Sequence, residues 1–211
     1  MIRASFDEAP DRLERLIRDE SNGMARFFVG IDGLPGSGKT ALAEELARRL
    51  SGYVIHADDF SLPVSRLTRK RRETPGGEFD YERFTREVVR PFLEKKLPTY
   101  SVFDPKTQSE TGTVQVPARE IYIMEGNYVL HPEVPDLYDL RIVLRGDRET
   151  ALARLTDRGE PDPATRFDRV AEYLSAYLLW ELSDVLVSGE SDGGDGGFSG
   201  FTLPLSLNGA N

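Results

Sequence analysis

The stretch Gly33-Leu34-Pro35-Gly36-Ser37-Gly38-Lys39-Thr40 matches the phosphate-binding pattern of a glycine, four free positions and then Gly-Lys-Ser/Thr. An apolar run, Phe27 to Ile31, precedes it and is typical of a buried strand. Ala41 to Leu50 follows and is rich in good helix formers. The order of strand, glycine loop and helix is the context that makes this pattern meaningful. A glycine-rich turn that matches by chance is the alternative.

Each residue type in the stretch has a chemical reason. Glycines let the backbone turn its N–H groups toward phosphate oxygens, and the following helix directs its positive end to the same place. Lys39 is expected to neutralise the β- and γ-phosphates, and the Thr40 hydroxyl is expected to hold Mg²⁺. We therefore predict that all eight residues, Gly33 to Thr40, bind ATP.

Composition limits the classes of protein. The 211 residues suit one domain, and the net charge of −9 argues against general binding to nucleic acids or membrane surfaces. The chain has no cysteine, which excludes disulfides and cysteine-based zinc sites. We find no secretory signal or long apolar run, so the cytoplasm is the expected location. A homo-oligomer is compatible with these observations.

Periodicity predicts the remaining architecture. We expect an α/β fold, a P-loop NTPase three-layer sandwich, with a five-stranded parallel core sheet, an inserted β-hairpin and a helical lid. The further strands are predicted at Tyr53–Ala57, Glu120–Met124, Leu140–Leu144 and Asp184–Val187, and the hairpin at 98–105 and 111–116. Helices are predicted at 81–95, 147–156 and 164–182.

The predicted domain covers residues 1–188, with an N-terminal helix within 1–23 and a lid region at 147–170. Residues 189–211 begin with a Gly-, Ser- and Asp-rich segment and form a predicted tail, which is either an edge strand or disordered. The basic run 66–72 precedes Thr74-Pro75-Gly76-Gly77 and is predicted to be a loop.

Acidic residues follow two of the predicted strands. Asp58 and Asp59 come after the second, and Glu125 follows the strand that ends at Met124. In parallel sheets, ligands bind beyond the carboxyl ends of the strands, so these acids are candidates for a phosphoryl acceptor or a metal. Capping of a turn is the alternative for the two aspartates. His56 lies within its strand and is expected to be packed or hydrogen-bonded rather than catalytic.

Together these segments resemble the uridine kinase/phosphoribulokinase group of P-loop kinases. The resemblance covers roughly residues 26–189, and it implies that the three-layer sandwich is of the nucleoside-kinase-like type. It rests on the following segments: Gly30-Ile31-Asp32-Gly33 with Gly38-Lys39-Thr40, His56-Ala57-Asp58-Asp59-Phe60, Phe79-Asp80, Pro98-Thr99-Tyr100, Ile123-Met124-Glu125-Gly126, Arg158-Gly159 and Ser183-Asp184-Val185.

The resemblance implies a role for each matching position. Asp58 matches the acid that accepts the proton of the acceptor hydroxyl and faces the metal, and Glu125 matches an acid near Mg²⁺. Asp80 matches an acid that holds sugar hydroxyls, and Tyr100 matches an aromatic residue of the nucleoside pocket, with Phe60 part of the same acceptor side. Lid arginines are matched by Arg158, with Arg154 beside it.

Two departures affect the acceptor. The segment after Tyr100 lacks the histidine that reads a pyrimidine in uridine kinases, and the lid motif reads Arg158-Gly159-Glu160 instead of Arg-Gly-Arg.

The hypothesis is transfer of the γ-phosphate from ATP·Mg²⁺ to a hydroxyl of a small metabolite, with a nucleoside as the leading candidate. Rivals are a kinase for nicotinamide riboside, pantothenate, a sugar or glycerate, a regulatory ATPase without a small acceptor, and a decayed site.

Overall fold

The computed structural model describes residues 8–188, and its centre is a parallel sheet of five strands. The strands are β1 (Phe27–Gly33), β2 (Tyr53–His56), β5 (Ile121–Glu125), β6 (Leu140–Arg145) and β7 (Val185–Ser188). Their order is β2-β5-β1-β6-β7, so β1 is the central strand. The glycine loop follows β1 and therefore lies at the middle of the sheet, at the carboxyl ends of its strands. The predicted parallel core is confirmed.

Helices surround this sheet. They are α1 (Ala9–Glu20), α2 (Lys39–Leu50), α3 (Arg69–Glu73), α4 (Tyr81–Phe84), α5 (Arg90–Leu93), α6 (Arg148–Asp157), α7 (Pro163–Ala176) and α8 (Leu179–Leu182). Predictions about residues 1–7 and about the tail 189–211 lie outside the described residues.

Alternation along the strands divides the core into two faces. On β1, Phe27, Val29 and Ile31 pack with buried residues of α1 and α2. Phe28, between them, packs with the other apolar cluster, which includes buried residues of α7. Two helical layers on opposite faces of a sheet give the expected three-layer sandwich.

The inserted hairpin is present. Its strands are β3 (Thr99–Asp104) and β4 (Ser109–Gln115), which pair antiparallel with an irregularity between Ser101 and Val102. The buried rings of Tyr100 and Phe103 anchor it to the core. This hairpin stands beside the turn that follows β2, next to the candidate site.

Three predicted boundaries need correction. The basic run 66–72, expected as a loop, enters α3, because Thr68 caps the helix by accepting a hydrogen bond from the Arg71 N–H. The helix predicted over 164–182 is interrupted at Leu178, where φ is +52°. The helix predicted over 81–95 ends at Leu93 and is not regular, because Thr85–Val89 is π-helical. This stretch comes just before Pro91, which has no N–H to donate.

Within residues 8–188, we find no helix that is both long and apolar enough to cross a membrane.

Candidate active site

The glycine loop joins β1 to α2 and has the left-handed backbone that its glycines permit. Gly33, Gly36 and Gly38 have φ of +138°, +73° and +95°. At Gly33 a Cβ atom would lie 2.2 Å from the backbone oxygen of Leu144 on the neighbouring strand, so no side chain fits there. The loop therefore keeps its curved backbone at the start of α2, where N–H groups can surround an anion.

Lys39 is folded onto this loop. Its Nζ donates hydrogen bonds of 2.9 Å to the backbone oxygens of Gly33 and Leu34. Burial lowers the pKa of Lys39 to about 8, while the nearby carboxylates of Asp32 and Glu125 act in the opposite direction. A phosphate in the loop would be a stronger partner for this ammonium group than two carbonyls are.

Thr40 and Glu125 bring oxygen atoms together at the end of β5. The Thr40 hydroxyl lies 3.3 and 3.2 Å from the two carboxylate oxygens of Glu125. Glu125 also pairs with His56 Nδ1 at 2.6 Å, and this hydrogen bond raises the pKa of His56. The expectation that His56 is hydrogen-bonded is confirmed.

This oxygen pair fits Mg²⁺, which prefers oxygen ligands and usually keeps substrate phosphates and waters in its shell. Within residues 8–188, we find no cluster of three or more His, Cys, Asp or Glu side chains that could hold a metal by itself. Thr40 and Glu125 are thus suited to a metal that arrives with a nucleotide.

Asp32 lies under the loop and was not predicted as a site residue. Its carboxylate is fully buried and accepts hydrogen bonds from the N–H groups of Gly33 (2.7 Å), Tyr128 (3.3 Å) and Leu130 (3.2 Å). The Tyr173 hydroxyl of α7 donates a fourth, of 2.9 Å. Burial raises the pKa of Asp32. One carboxylate therefore links the glycine loop, the segment after β5 and α7.

Two adjoining clefts open at this edge of the sheet. The smaller, of about 260 Å³, is lined by the glycine loop, Lys39, Thr40 and Glu125. The larger, of about 660 Å³, lies between the turn after β2, the hairpin and the start of α7. Asp58 lines both clefts, and its side chain is exposed to them and to solvent. The structure thus brings Asp58, Lys39 and Glu125 to one place, as the sequence predicted.

Two arginines line the smaller cleft, and a third binds the glycine loop beside it. Arg154 donates a 2.9 Å hydrogen bond to the backbone oxygen of Gly36, and Arg158 lines the cleft wall. Arg166, which was not predicted, lines both clefts. It pairs with Glu160 at 2.6 Å and lies 4.0 Å from the Asp58 carboxylate.

Three predicted acceptor-side residues lie behind the cavity wall. Phe60 and Tyr100 are buried, with ring centroids 5.1 Å apart. The Asp80 carboxylate caps α4 through the Arg83 N–H and pairs with Arg66 at 3.0 Å. None of these three lies among the residues that line the larger cavity. Their direct contact with an acceptor stays a prediction, and in this structure they support the wall.

The two site residues that were not predicted differ in whether the sequence carried a signal for them. Asp32 carried a signal, since it is a carboxylate at the end of an otherwise apolar strand. Arg166 carried none, because it is one of several charged residues in α7 and only the packing of that helix brings it to the clefts.

Comparison with known proteins identifies the family of this chain. The family described as "AAA domain" matches residues 29–175, so the chain belongs to that P-loop family. "Putative uridine kinase C227.14" of Schizosaccharomyces pombe is similar, with 29% identity over an alignment of 180 residues that covers 74% of each chain.

Two solved structures are similar. The first, titled "Structure of a Possible Uridine Kinase from Bacillus stearothermophilus", has 21% identity and a TM-score of 0.66, over 86% of this chain and 98% of that one. The second, a "putative fructose transport system kinase" from Silicibacter, has 26% identity and a TM-score of 0.62, over 79% and 94%. The resemblance to uridine kinase-like P-loop kinases is confirmed, and these relatives support a P-loop kinase.

Proposed function

We propose that this protein transfers the γ-phosphate of ATP to a hydroxyl group of a small metabolite, with a nucleoside as the leading candidate. The observation that carries the proposal is that Asp58 borders both clefts. A nucleotide held by the glycine loop would place its terminal phosphate in the smaller cleft. An alcohol in the larger cavity would then meet Asp58 at the junction.

The chain's own residues supply positioning, proton transfer and charge. Asp58 is placed to orient the hydroxyl and accept its proton. Lys39 would leave the loop carbonyls to contact phosphate oxygens, and Arg158 and Arg166 would offset negative charge on the transferring group. Thr40 and Glu125 would hold Mg²⁺, which when bound neutralises phosphate charge.

Arg166 is important to the proposal because the lid motif has a glutamate at position 160, where the family has an arginine. In this structure Glu160 lines both clefts and pairs with Arg166 at 2.6 Å. A bound triphosphate would compete with Glu160 for the Arg166 guanidinium. Arg166 is therefore our candidate for the charge that the altered motif lacks.

The relatives and the cavity support a nucleoside as the acceptor class. Names of similar proteins include uridine kinases, which supports a nucleoside. A volume of about 660 Å³ is enough for such a molecule. Nicotinamide riboside, pantothenate, sugars and glycerate remain rival acceptors. A regulatory ATPase is disfavoured, because it has no need of a second cavity that shares Asp58 with the phosphate cleft.

The test is an ADP-release screen over nucleosides, sugars and vitamins with the purified protein. We expect ADP release to depend on one acceptor class and to fall by at least about a hundredfold in Asp58→Asn. Asp19→Asn, on the exposed face of α1, is the matched control and should behave as the wild type. ADP release that no acceptor stimulates would instead favour the regulatory ATPase.

A further inference from the structure

One arginine is buried on the acceptor side of the molecule. Arg83 is 1% exposed and is one of the largest fully buried side chains within residues 8–188. Its guanidinium lies 4.5 Å from the centre of the Phe60 ring. Its charge faces the carboxylates of Asp80 at 3.8 Å and Glu87 at 3.5 Å. A buried charge contributes little net stability even when it is paired, so the hydrogen bonds of Arg83 indicate what else it does.

The guanidinium of Arg83 holds two different segments of backbone. Its Nη1 donates a 2.6 Å hydrogen bond to the backbone oxygen of Ser101 on β3. Its Nη2 donates another to the backbone oxygen of Asp59, in the turn that follows β2. Glu87 accepts a 3.2 Å hydrogen bond from the Ser101 N–H, so Arg83 and Glu87 together fix both backbone groups of Ser101. Arg83 therefore joins the hairpin to the turn.

This link needs the geometry of an arginine. The planar guanidinium presents several N–H groups in a rigid fork, so it can bond two acceptors at fixed positions at the same time. A lysine ammonium is a compact point charge on a flexible stem and does not reproduce that fork. The positive charge and the fork of Arg83 can therefore be separated by substitution.

Both of the joined segments form walls of the larger cavity. The turn contributes Asp58 and Asp59, and the hairpin contributes Phe103 and Pro105. The separation of these two walls sets the width of the space in which an acceptor would lie. Arg83 is not itself among the residues that line the cavity, so it acts from behind the wall.

Asp58 depends on this support because its own side chain has little. The side chain is 81% exposed, and its ion pair with Arg166 is long, at 4.0 Å. The place of its carboxylate is therefore set mainly by the backbone of the turn, which Arg83 holds one residue further along. A displacement of about 1 Å at a reacting group can lower turnover by about a hundredfold. Loss of the fork should reach the reaction through Asp58.

We propose that Arg83 is a positioning residue for phosphoryl transfer, which sets the width of the acceptor cavity and the place of Asp58 by joining the turn to the hairpin. The inference rests on the proposed kinase function, since it concerns that same cavity. The phosphate cleft is built around the glycine loop and the start of α2 instead. Binding of ATP should therefore change little when Arg83 is replaced.

The test is Arg83→Lys, which keeps the buried charge and removes the fork. With the acceptor identified by the ADP-release screen, we expect kcat to fall by at least about tenfold and the KM of the acceptor to rise. The Kd of ATP, measured by calorimetry, should change by less than about threefold. A smaller loss of kcat, or an equal loss of affinity for ATP, would overturn the assignment, because a merely structural defect would not spare ATP binding.

Arg26→Lys is the matched control. The guanidinium of Arg26 also bonds two backbone oxygens, those of Lys95 and Lys96, both at 3.1 Å. It also lies over an aromatic ring, that of Phe92. Arg26 comes just before β1, at the opposite end of that strand from the glycine loop. The control should keep the wild-type kcat and KM.

A second variant covers the case in which Arg83→Lys does not fold, as judged by circular dichroism. Glu87→Gln leaves Arg83 in place but removes the charge that pairs with it and weakens the hold on Ser101. We expect kcat to fall by at least about threefold at unchanged affinity for ATP. A wild-type kcat in Glu87→Gln would then overturn the proposal.

Hydrogen exchange separates this inference from the kinase proposal. In Arg83→Lys, the backbone amides of residues 57–61 and of β3 should exchange at least about tenfold faster than in the wild type, while those of β1 and β5 should not change. If no acceptor stimulates ADP release by the wild type, the kinase proposal fails, and this exchange pattern decides by itself whether Arg83 joins the turn to the hairpin. Unchanged exchange in the turn, or faster exchange throughout the sheet, would overturn the link.

Discussion

The hydrogen bond between Tyr173 and Asp32 offers a quantitative test of how the glycine loop is held. Tyr173→Phe removes one hydroxyl and leaves the ring, so it creates no sizeable cavity. The lost bond is 2.9 Å long, and both side chains are fully buried. A hydrogen bond to a charged group contributes about 1.5–3 kcal/mol. Three backbone N–H groups still donate hydrogen bonds to Asp32 in the variant. We therefore expect the free energy of unfolding to fall by about 2 kcal/mol.

The assay is equilibrium unfolding in urea. With a slope of about 2 kcal/mol per M, the midpoint should fall by about 1 M and the slope should not change. Tyr177→Phe is the matched control, since it removes the same hydroxyl from a tyrosine one turn further along, whose ring packs at a steep angle against that of Tyr173. We expect the control to lose less than about 0.5 kcal/mol. A Tyr173→Phe loss no larger than that of the control would refute the view that Asp32 is a strong anchor.

Three further outcomes are expected. Asp58→Asn should lower kcat by at least about a hundredfold without changing the unfolding midpoint, and a loss below about threefold would remove Asp58 from the role of base. Burial lowers the pKa of His131 to about 4, so between pH 6.5 and pH 4 the unfolded chain binds a proton at this histidine more readily than the folded protein does. The free energy of unfolding should therefore fall by about 3 kcal/mol from pH 6.5 to pH 4. Urea unfolding across that range should show a shallower pH dependence in His131→Phe, and an identical one would contradict this. Gly33→Ala should cost at least about 2 kcal/mol and weaken ATP binding, because its Cβ would collide with the Leu144 oxygen. Gly146→Ala is the control, because its Cβ would lie at an ordinary 3.4 Å from the nearest atom, in Ser37. Calorimetry of both variants measures the loss of stability, and equal losses would contradict the clash at Gly33.

The sequence was most informative where the backbone itself determines function. Local patterns of residues can be recognised without knowledge of the tertiary structure. They include the glycine loop, its flanking strand and helix, and the acids after β2 and β5. The five parallel strands were each visible as short apolar runs. Their order in the sheet was not, because strand order depends on long-range packing.

The residues that escaped prediction depend on contacts distant in the chain. Asp32 and Tyr173 are 141 positions apart, and Arg166 meets Asp58 only because α7 packs against the sheet. For Asp80, the motif predicts an acceptor contact, which stays a prediction. The structure adds a helix cap and an ion pair that the sequence could not reveal.

The shared wall of the two clefts has a kinetic consequence. Because Asp58 lines both clefts, under the proposed function both substrates would be bound together and the phosphoryl group would pass between them directly. Initial-rate plots should therefore intersect, as for a ternary complex, and no phosphorylated enzyme should accumulate. For the same reason, a compound that tethers the acceptor to an adenosine polyphosphate should occupy both halves at once and bind more tightly than either part alone.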